Sequence, residues 1–335
     1  MKFTRPFKKL FSPEALKSNL LVEEPDLLVA RGKGFVIDRL GSLLPYGHEV
    51  EAGLFTIMDD KHLAIESIGY TLEVAPQTGA TVEMASQLTS LFSTDLPTST
   101  GIQVTLFAEP DIEWATNAYE ASRTPVFLAP VEKKETVKTL THLAHERVRY
   151  LKKGLSHPLS RGSHFRVRHF RAWVSVAIPL GDKELFVAIE KAKKERDRHI
   201  TLLKSQYLYS HTWNSLDLYR TVRAILNAQK SPEELKTKAK PNALDSLSHG
   251  LINADTRAVI KEDGVELSSS GKEPVLLTGL SVSGYPSDYA LALTSRFIGH
   301  KAQDIPCPFL VTCAVNMPDF EKTRSKANIM AARAK

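Results

Sequence analysis

The sequence predicts an α+β protein: mixed sheets with helices packed on them, built as two related strand-helix-strand units around a helical insertion. Short apolar or alternating segments bounded by turn residues fill the first and last thirds of the chain, and long charged helical segments fill the middle. Both outer thirds also follow one order of elements, with Pro110-Asp111 and Pro318-Asp319 at equivalent places. A sheet covered by helices is the natural way to bury such patterns.

These patterns divide the chain into five segments. A basic amphipathic arm covers residues 1–25, and the first α/β unit covers 26–125. A helix-rich middle with one long strand covers 126–250, the second α/β unit covers 251–318, and a connecting helix begins at 319. The stretch 231–243 has the lysines and prolines of a linker.

Turn residues and apolar spacing predict the individual elements. Strands are expected at 34–37, 53–57, 64–74, 102–107, 165–178, 258–260, 265–268, 275–282 and 309–315. Helices are expected at 82–92, 111–119, 131–153, 183–209, 216–226 and 287–298. The turns Asp59-Asp60-Lys61 and Glu262-Asp263-Gly264 predict two hairpins. In the helix 82–92 we expect Met84, Leu88, Leu91 and Phe92 to face inward.

Composition limits the class of protein. The chain has 335 residues, of which 42% are hydrophobic, so it can bury a sizeable core. Its net charge of +6 favours acidic partners. No apolar stretch approaches the roughly 18 residues of a membrane span, so we expect any membrane contact to be peripheral.

The two cysteines, Cys307 and Cys313, lie in one predicted strand. Six strand residues span roughly 20 Å, whereas a disulfide needs Cα atoms within about 7 Å. We therefore expect both thiols to be reduced and buried, as in a cytoplasmic protein.

No complete catalytic motif is present. Gly264–Lys272 has six residues between its glycines and Glu273-Pro274 after its lysine, so it predicts a hairpin and not a phosphate-binding loop. His142, His145 and Glu146 do not have the order of a zinc-protease helix, and a solvated helix face explains them better. We expect no catalytic, metal-binding or cofactor-binding residue in this chain.

One basic segment exceeds the background. Residues 147–171 contain eight lysines or arginines and no acid, and alternation along the predicted strand aims two arginines, Arg166 and Arg168, along one face. The segment is a candidate anionic docking surface formed by Arg147, Arg149, Lys152, Lys153, Arg161, Arg166, Arg168 and Arg171. One alternative is a solvated strand and helix end balanced by acids elsewhere. The other is a nucleic-acid site, with Phe165, Phe170 and Trp173 available for stacking.

The first residues are a candidate arm for a membrane or a partner. Apolar side chains recur at helical spacing beside basic ones, which is typical of an interfacial helix. The candidate residues are Phe3, Phe7, Lys8, Lys9, Leu10 and Phe11. Pro6 inside the segment leaves a disordered basic tail as the alternative.

Several ordered segments together resemble one family. Glu73–Pro76, Leu88–Phe92 and Gly101–Val104 in the first half, with Asp255-Thr256-Arg257 and Ile305–Leu310 in the second, are similar to the amino-terminal region of TraC, the conjugative transfer ATPase of F-type type IV secretion systems. The resemblance runs from residue 26 to the end.

The resemblance implies a role in conjugation, pilus assembly and DNA transfer. Family members form hexamers in the bacterial cytoplasm at the inner membrane and contact membrane components such as TraL. The resemblance also implies that the Walker motifs belong to a RecA-like domain after Lys335. ATP and Mg²⁺ are then expected only in that domain, and this chain is expected to be a non-catalytic part.

Overall fold

The computed structural model describes residues 28–31, 34–37, 40–77, 81–92, 96–123, 134–159, 166–227, 246–253, 255–269, 273–281, 305, 307–319 and 324–325. It confirms the α+β class. The chain forms two compact units. Unit 1 comprises 1–104, 173–281 and 313–335, and unit 2 comprises 105–172 and 282–312. Each is described by itself below.

A five-stranded antiparallel sheet in unit 1 joins the two ends of the sequence. Its order is β1 (Leu28–Arg31), β2 (Gly34–Ile37), β9 (Arg257–Ile260), β10 (Val265–Ser268) and β11 (Val275–Leu277). The β2–β9 register pairs Phe35 with Ile260. Strands of the predicted segments 26–125 and 251–318 therefore share one sheet, and the compact units divide the chain at other positions than those segments.

A second sheet has seven strands in the order β12 (Phe309–Asn316), β6 (Gly101–Glu109), β7 (His169–Pro179), β5 (Ile65–Val74), β4 (Leu54–Met58) and β3 (Tyr46–Glu51), with β8 (Ser210–Thr212) also paired to β5. The division between the units falls inside β6, β7 and β12. In the β4–β5 turn, the Asp59 carboxylate accepts the Leu63 backbone N–H at 2.8 Å, and this contact stabilises the predicted hairpin.

The described residues of unit 1 contain four α-helices: α1 (Val82–Leu88), α4 (Leu185–Ser205), α5 (Ser215–Leu226) and the short α6 (Leu247–Leu251). Asn214 begins α5 with a capping box, because its side chain accepts the Leu216 and Asp217 N–H groups while Asp217 accepts the Asn214 N–H. The buried Arg223 of α5 donates to the Gly250 carbonyl of α6 at 3.2 Å. Polar contacts thus hold these two helices together.

The core of unit 1 lies between the seven-stranded sheet and α4. Leu54, Ile68 and Leu72 of the strands pack with Ala192 and other side chains of the helix, and Tyr70 lies among them. Six successive residues of β5, from 67 to 72, are buried, so this strand is covered on both faces. Within the sheet β5 lies between β4 and β7, so both of its backbone edges are also paired.

One polar pair lies in this core. The Tyr70 hydroxyl and His199 Nδ1 are 2.8 Å apart, and both residues are about 1% exposed. Burial, with the charge of Arg198 as a smaller cause, lowers the pKa of His199 to about 4. Burial also raises the pKa of Tyr70, with the Glu195 charge adding to the effect. The neutral imidazole and the neutral phenol therefore persist in the folded chain at neutral pH.

Among its described residues, unit 2 contains the helices α2 (Glu113–Arg123), from the predicted segment 26–125, and α3 (Lys134–Lys153), from the predicted segment 126–250. Asp111 accepts the Glu113 N–H at 2.8 Å at the start of α2. The two helices are joined by His145 Nδ1 and Glu120 Oε1, which are 2.7 Å apart. Ala144 and Val148 form the buried face of α3.

Most predicted elements are confirmed, with shifted ends, and three details are wrong. Phe92 ends a 3-10 turn and is 37% exposed, because α1 stops at Leu88 and the chain changes its helical period. Cys307 and Cys313 are free, as expected, but both are exposed and not buried. The strand predicted from residue 165 begins only at His169. The linker 231–243 and the helix 287–298 lie outside the described residues.

Candidate functional site

The exposed part of the predicted docking surface is the carboxyl half of α3. Arg147, Lys152 and Lys153 are exposed and form no ion pair with any residue that the structure describes. Arg149 differs, because its guanidinium pairs with Glu146 one helical turn earlier. Three cations of this half-helix are thus without an ion-pair partner among the described residues. Such side chains attract carboxylate or phosphate groups.

Arg166 and Arg168 do not line a strand face. They precede β7, and their guanidinium groups turn towards the chain that follows α3: Arg168 Nη1 donates to the Leu155 carbonyl at 2.8 Å, and Arg166 Nη1 donates to the Ser156 carbonyl. Carbonyls beyond a helix end lack helical partners, and the helix dipole favours cations there. The prediction of two parallel arginines on a strand is therefore wrong.

This helix end is closely packed. The Val167 N–H donates to the Gly154 carbonyl at 2.9 Å. A Cβ added at Gly154 would lie 2.4 Å from Val167 Cγ2 and 2.8 Å from Leu159 Cγ, so only glycine fits. The contact fixes the segment 166–168 against the turn after α3 and positions both guanidinium groups.

Arg171 is also turned inward. Its Nη1 lies 3.4 Å from Glu109 Oε2, and both side chains are 14% exposed. Beside this pair, Trp114 Nε1 donates to His169 Nδ1 at 3.3 Å. An acid from another strand thus compensates Arg171, as the solvated-strand alternative expected, and the arginine is not part of an open surface.

The remaining predicted residues lie outside the part of the chain that the structure describes. These are Arg161 and the arm residues Phe3, Phe7, Lys8, Lys9, Leu10 and Phe11. Their assignment stays a prediction.

Sequence reasoning missed an exposed apolar stripe on the same helix. Leu140, Leu143 and Tyr150 are 48%, 57% and 52% exposed. The signal was present, because α3 has more apolar residues than one buried face needs. Periodicity alone did not show which of them would be covered.

Within the described ranges, no group of three His, Cys, Asp or Glu side chains is placed to hold a metal ion. In the same ranges, no helix has the length and apolar character needed to cross a membrane. The exposed side chains described on α3 are therefore cations and apolar residues.

Comparison with known families supplies the class. A family model described as TraC protein matches residues 60–335, which is more than half of the chain. The chain therefore belongs to the TraC protein family, and this membership associates it with conjugation and type IV secretion. A comparison with curated proteins found no match. The resemblance stated from the sequence is confirmed.

Proposed function

We propose that this chain is a non-catalytic assembly and docking part of a conjugative type IV secretion ATPase. In this role it contacts neighbouring subunits of a hexamer and inner-membrane components such as TraL, at the cytoplasmic face of the inner membrane. It contributes to pilus assembly and DNA transfer by placing a motor domain that holds ATP and Mg²⁺. The observation that carries the proposal is the exposed cationic half of α3, whose Arg147, Lys152 and Lys153 pair with no described residue, in a member of the TraC family.

The contacts of the basic segment support docking over chemistry. Arg166, Arg168 and Arg171 stabilise the fold through carbonyls and Glu109, while Arg147, Lys152 and Lys153 remain exposed. A surface of a few exposed cations suits recognition of an acidic partner and electrostatic steering. It does not resemble a constellation of nucleophile, base and oxyanion donors.

Overproduction of the chain in donor cells tests the proposal. We expect it to lower the frequency of conjugative transfer, because it occupies docking sites of the resident ATPase. A variant with Arg147→Glu, Lys152→Glu and Lys153→Glu should inhibit less, and Lys61→Glu, on the β4–β5 turn, is the matched control. Equal inhibition by all three chains contradicts docking through α3.

Hydrolysis is tested separately. The purified chain should release no phosphate from ATP above the level of a heat-denatured sample. Steady turnover that survives further purification contradicts the non-catalytic role.

Nucleic-acid binding is the second candidate, because the same exposed cations can contact phosphates. Only Arg147, Lys152 and Lys153 are available in the described segment, so about three phosphate contacts and a log–log salt slope of about −3 are expected. Unchanged DNA affinity after reversal of these three charges dismisses this candidate.

A further inference from the structure

The exposed stripe of α3 has the spacing of a helix–helix seam. Leu140, Leu143, Arg147 and Tyr150 follow one another at steps of three, four and three residues, which places them in one line along the helix. The three apolar members are each about half exposed. This line borders the buried face that contains Ala144 and Val148, so a second helix packed there would extend the apolar contact.

Arg147 lies inside this line, is exposed, and pairs with no carboxylate in the part of the chain that the structure describes. Its neighbour Glu146 is already paired with Arg149 on another side of the helix. Tyr150 is held in place, because its hydroxyl donates to the Leu159 carbonyl at 2.7 Å while its ring stays 52% exposed. The stripe is therefore an ordered apolar line interrupted by one cation.

A lipid surface fits this pattern poorly. A bilayer would have to accept Arg147 in the middle of the apolar line, away from water. Lys152 follows Tyr150 by two residues and so points about 160° away around the helix, beyond the buried face. An interfacial helix instead carries its cations along the border of the apolar face.

A helix of a protein partner satisfies the same pattern. Apolar residues spaced by three and four would pack against Leu140, Leu143 and Tyr150, and one carboxylate among them would pair with Arg147 and fix the register. We propose that the stripe Leu140–Tyr150 of α3 binds an amphipathic helix of a partner protein that carries a carboxylate opposite Arg147. The inference rests on the proposed docking role and names its partner by chemistry.

Two synthetic peptides test whether the stripe prefers a helix with a carboxylate opposite Arg147. Each is about three heptads long, with leucine at the a and d positions, and they differ only in the central a residue, which is glutamate or lysine. A like charge at the centre disfavours self-association of either peptide. Binding to the full chain is measured by fluorescence anisotropy. We expect the glutamate peptide to bind about tenfold more tightly than the lysine peptide.

Charge reversal in the chain completes the test. Arg147→Glu should invert the order, so that the lysine peptide binds more tightly, whereas the control Lys61→Glu, at an exposed position of the β4–β5 turn, should keep the original order. Circular dichroism checks that both variants retain the helix content of the parent chain. Equal affinity of the two peptides, no binding of either, or an unchanged order in Arg147→Glu overturns the inference.

Two further measurements identify other occupants. If the chain binds phosphatidylserine vesicles but neither peptide, and Arg147→Glu abolishes the vesicle binding, the occupant of the stripe is a lipid surface and not a helix. If the chain dimerises and the same variant does not, the occupant of the stripe is a second copy of the chain. Either result overturns the inference, whereas the inhibition of transfer described above can still hold, so the two proposals fail separately.

Discussion

The buried hydrogen bond between Tyr70 and His199 affects both the stability of the fold and the dependence of that stability on pH. His199 lies on α4 and Tyr70 on β5, so the bond joins the helix to the central part of the sheet. A buried polar atom that loses its partner costs about 1–3 kcal/mol. Loss of this one contact would therefore remove a sizeable part of a net domain stability of about 5–15 kcal/mol.

Tyr70→Phe should lower the free energy of unfolding by about 1–3 kcal/mol, because it leaves His199 Nδ1 without its hydroxyl partner. Urea denaturation at neutral pH measures the change. Tyr209→Phe, at a position that is 68% exposed, is the matched control and should have little effect. Losses of the same size in both variants contradict the structural role of the bond.

The pH dependence of stability follows from the lowered pKa of His199. Below its ordinary value of 6.5 the unfolded chain binds a proton at this residue, whereas the folded chain does so only near its pKa of about 4. Stability therefore falls as the pH falls through this window, by about 3 kcal/mol from this residue. His199→Gln should flatten the curve of unfolding free energy against pH by that amount.

The control for this experiment is His142→Gln, at an exposed position of α3. Unfolding is followed in urea at several pH values between 4 and 7 for the parent chain and both variants. A parent curve and a His199→Gln curve that run parallel through this window show that the buried imidazole does not cause the acid sensitivity.

At the scale of one element, the carboxyl end of α3 shows close packing around a glycine. Gly154 allows the segment 166–168 to approach the turn after the helix, and two guanidinium groups then satisfy carbonyls there. The cations of the basic segment thus divide into one group that completes a helix end and another that stays exposed. This division explains why a uniform basic stretch gives only three free charges in the described residues.

Gly154→Ala should lower the free energy of unfolding by about 1–3 kcal/mol, because its Cβ would overlap with Val167 and Leu159. Thermal denaturation measures the loss. Gly279→Ala, where an added Cβ meets nothing within 4 Å, is the matched control. A melting temperature equal to that of the control variant contradicts the close approach at this helix end.

Local signals predicted the elements well, and contacts distant in sequence explain what they missed. The turn at Asp59 and the hairpin before Val265 depend on neighbouring residues, so their positions could be predicted from the sequence. Arg168 was misplaced because its partner, the Leu155 carbonyl, is fixed by tertiary packing. The exposure of Cys313 likewise depends on which strand face is covered, and alternation does not specify that.

For the whole molecule, the β2–β9 pairing has the largest consequence. It makes the hairpin β1–β2 part of a sheet whose other strands come from residues 257–277. No local pattern signals this pairing, because the sequence predicts each strand but not its distant neighbour. The similar order of elements in the two outer thirds suggested two separate units, because strand patterns do not show which distant strands pair.

Removal of residues 1–39 should expose the edge of β9, since its β2 neighbour is lost. We expect faster amide hydrogen exchange in residues 257–260 and greater self-association in size-exclusion chromatography. Removal of residues 1–27 keeps both strands of the hairpin and is the matched control. Unchanged exchange in the longer deletion contradicts the pairing.

The same pairing sets an order of events during synthesis on the ribosome. Phe35 leaves the ribosome long before Ile260, its partner in the register. At about 5–20 residues per second, β2 waits on the order of tens of seconds for its neighbour. During that time its unpaired backbone groups can form wrong pairs with other nascent chains. Production of this chain should therefore depend on chaperones that cover early strands until the last third has been made.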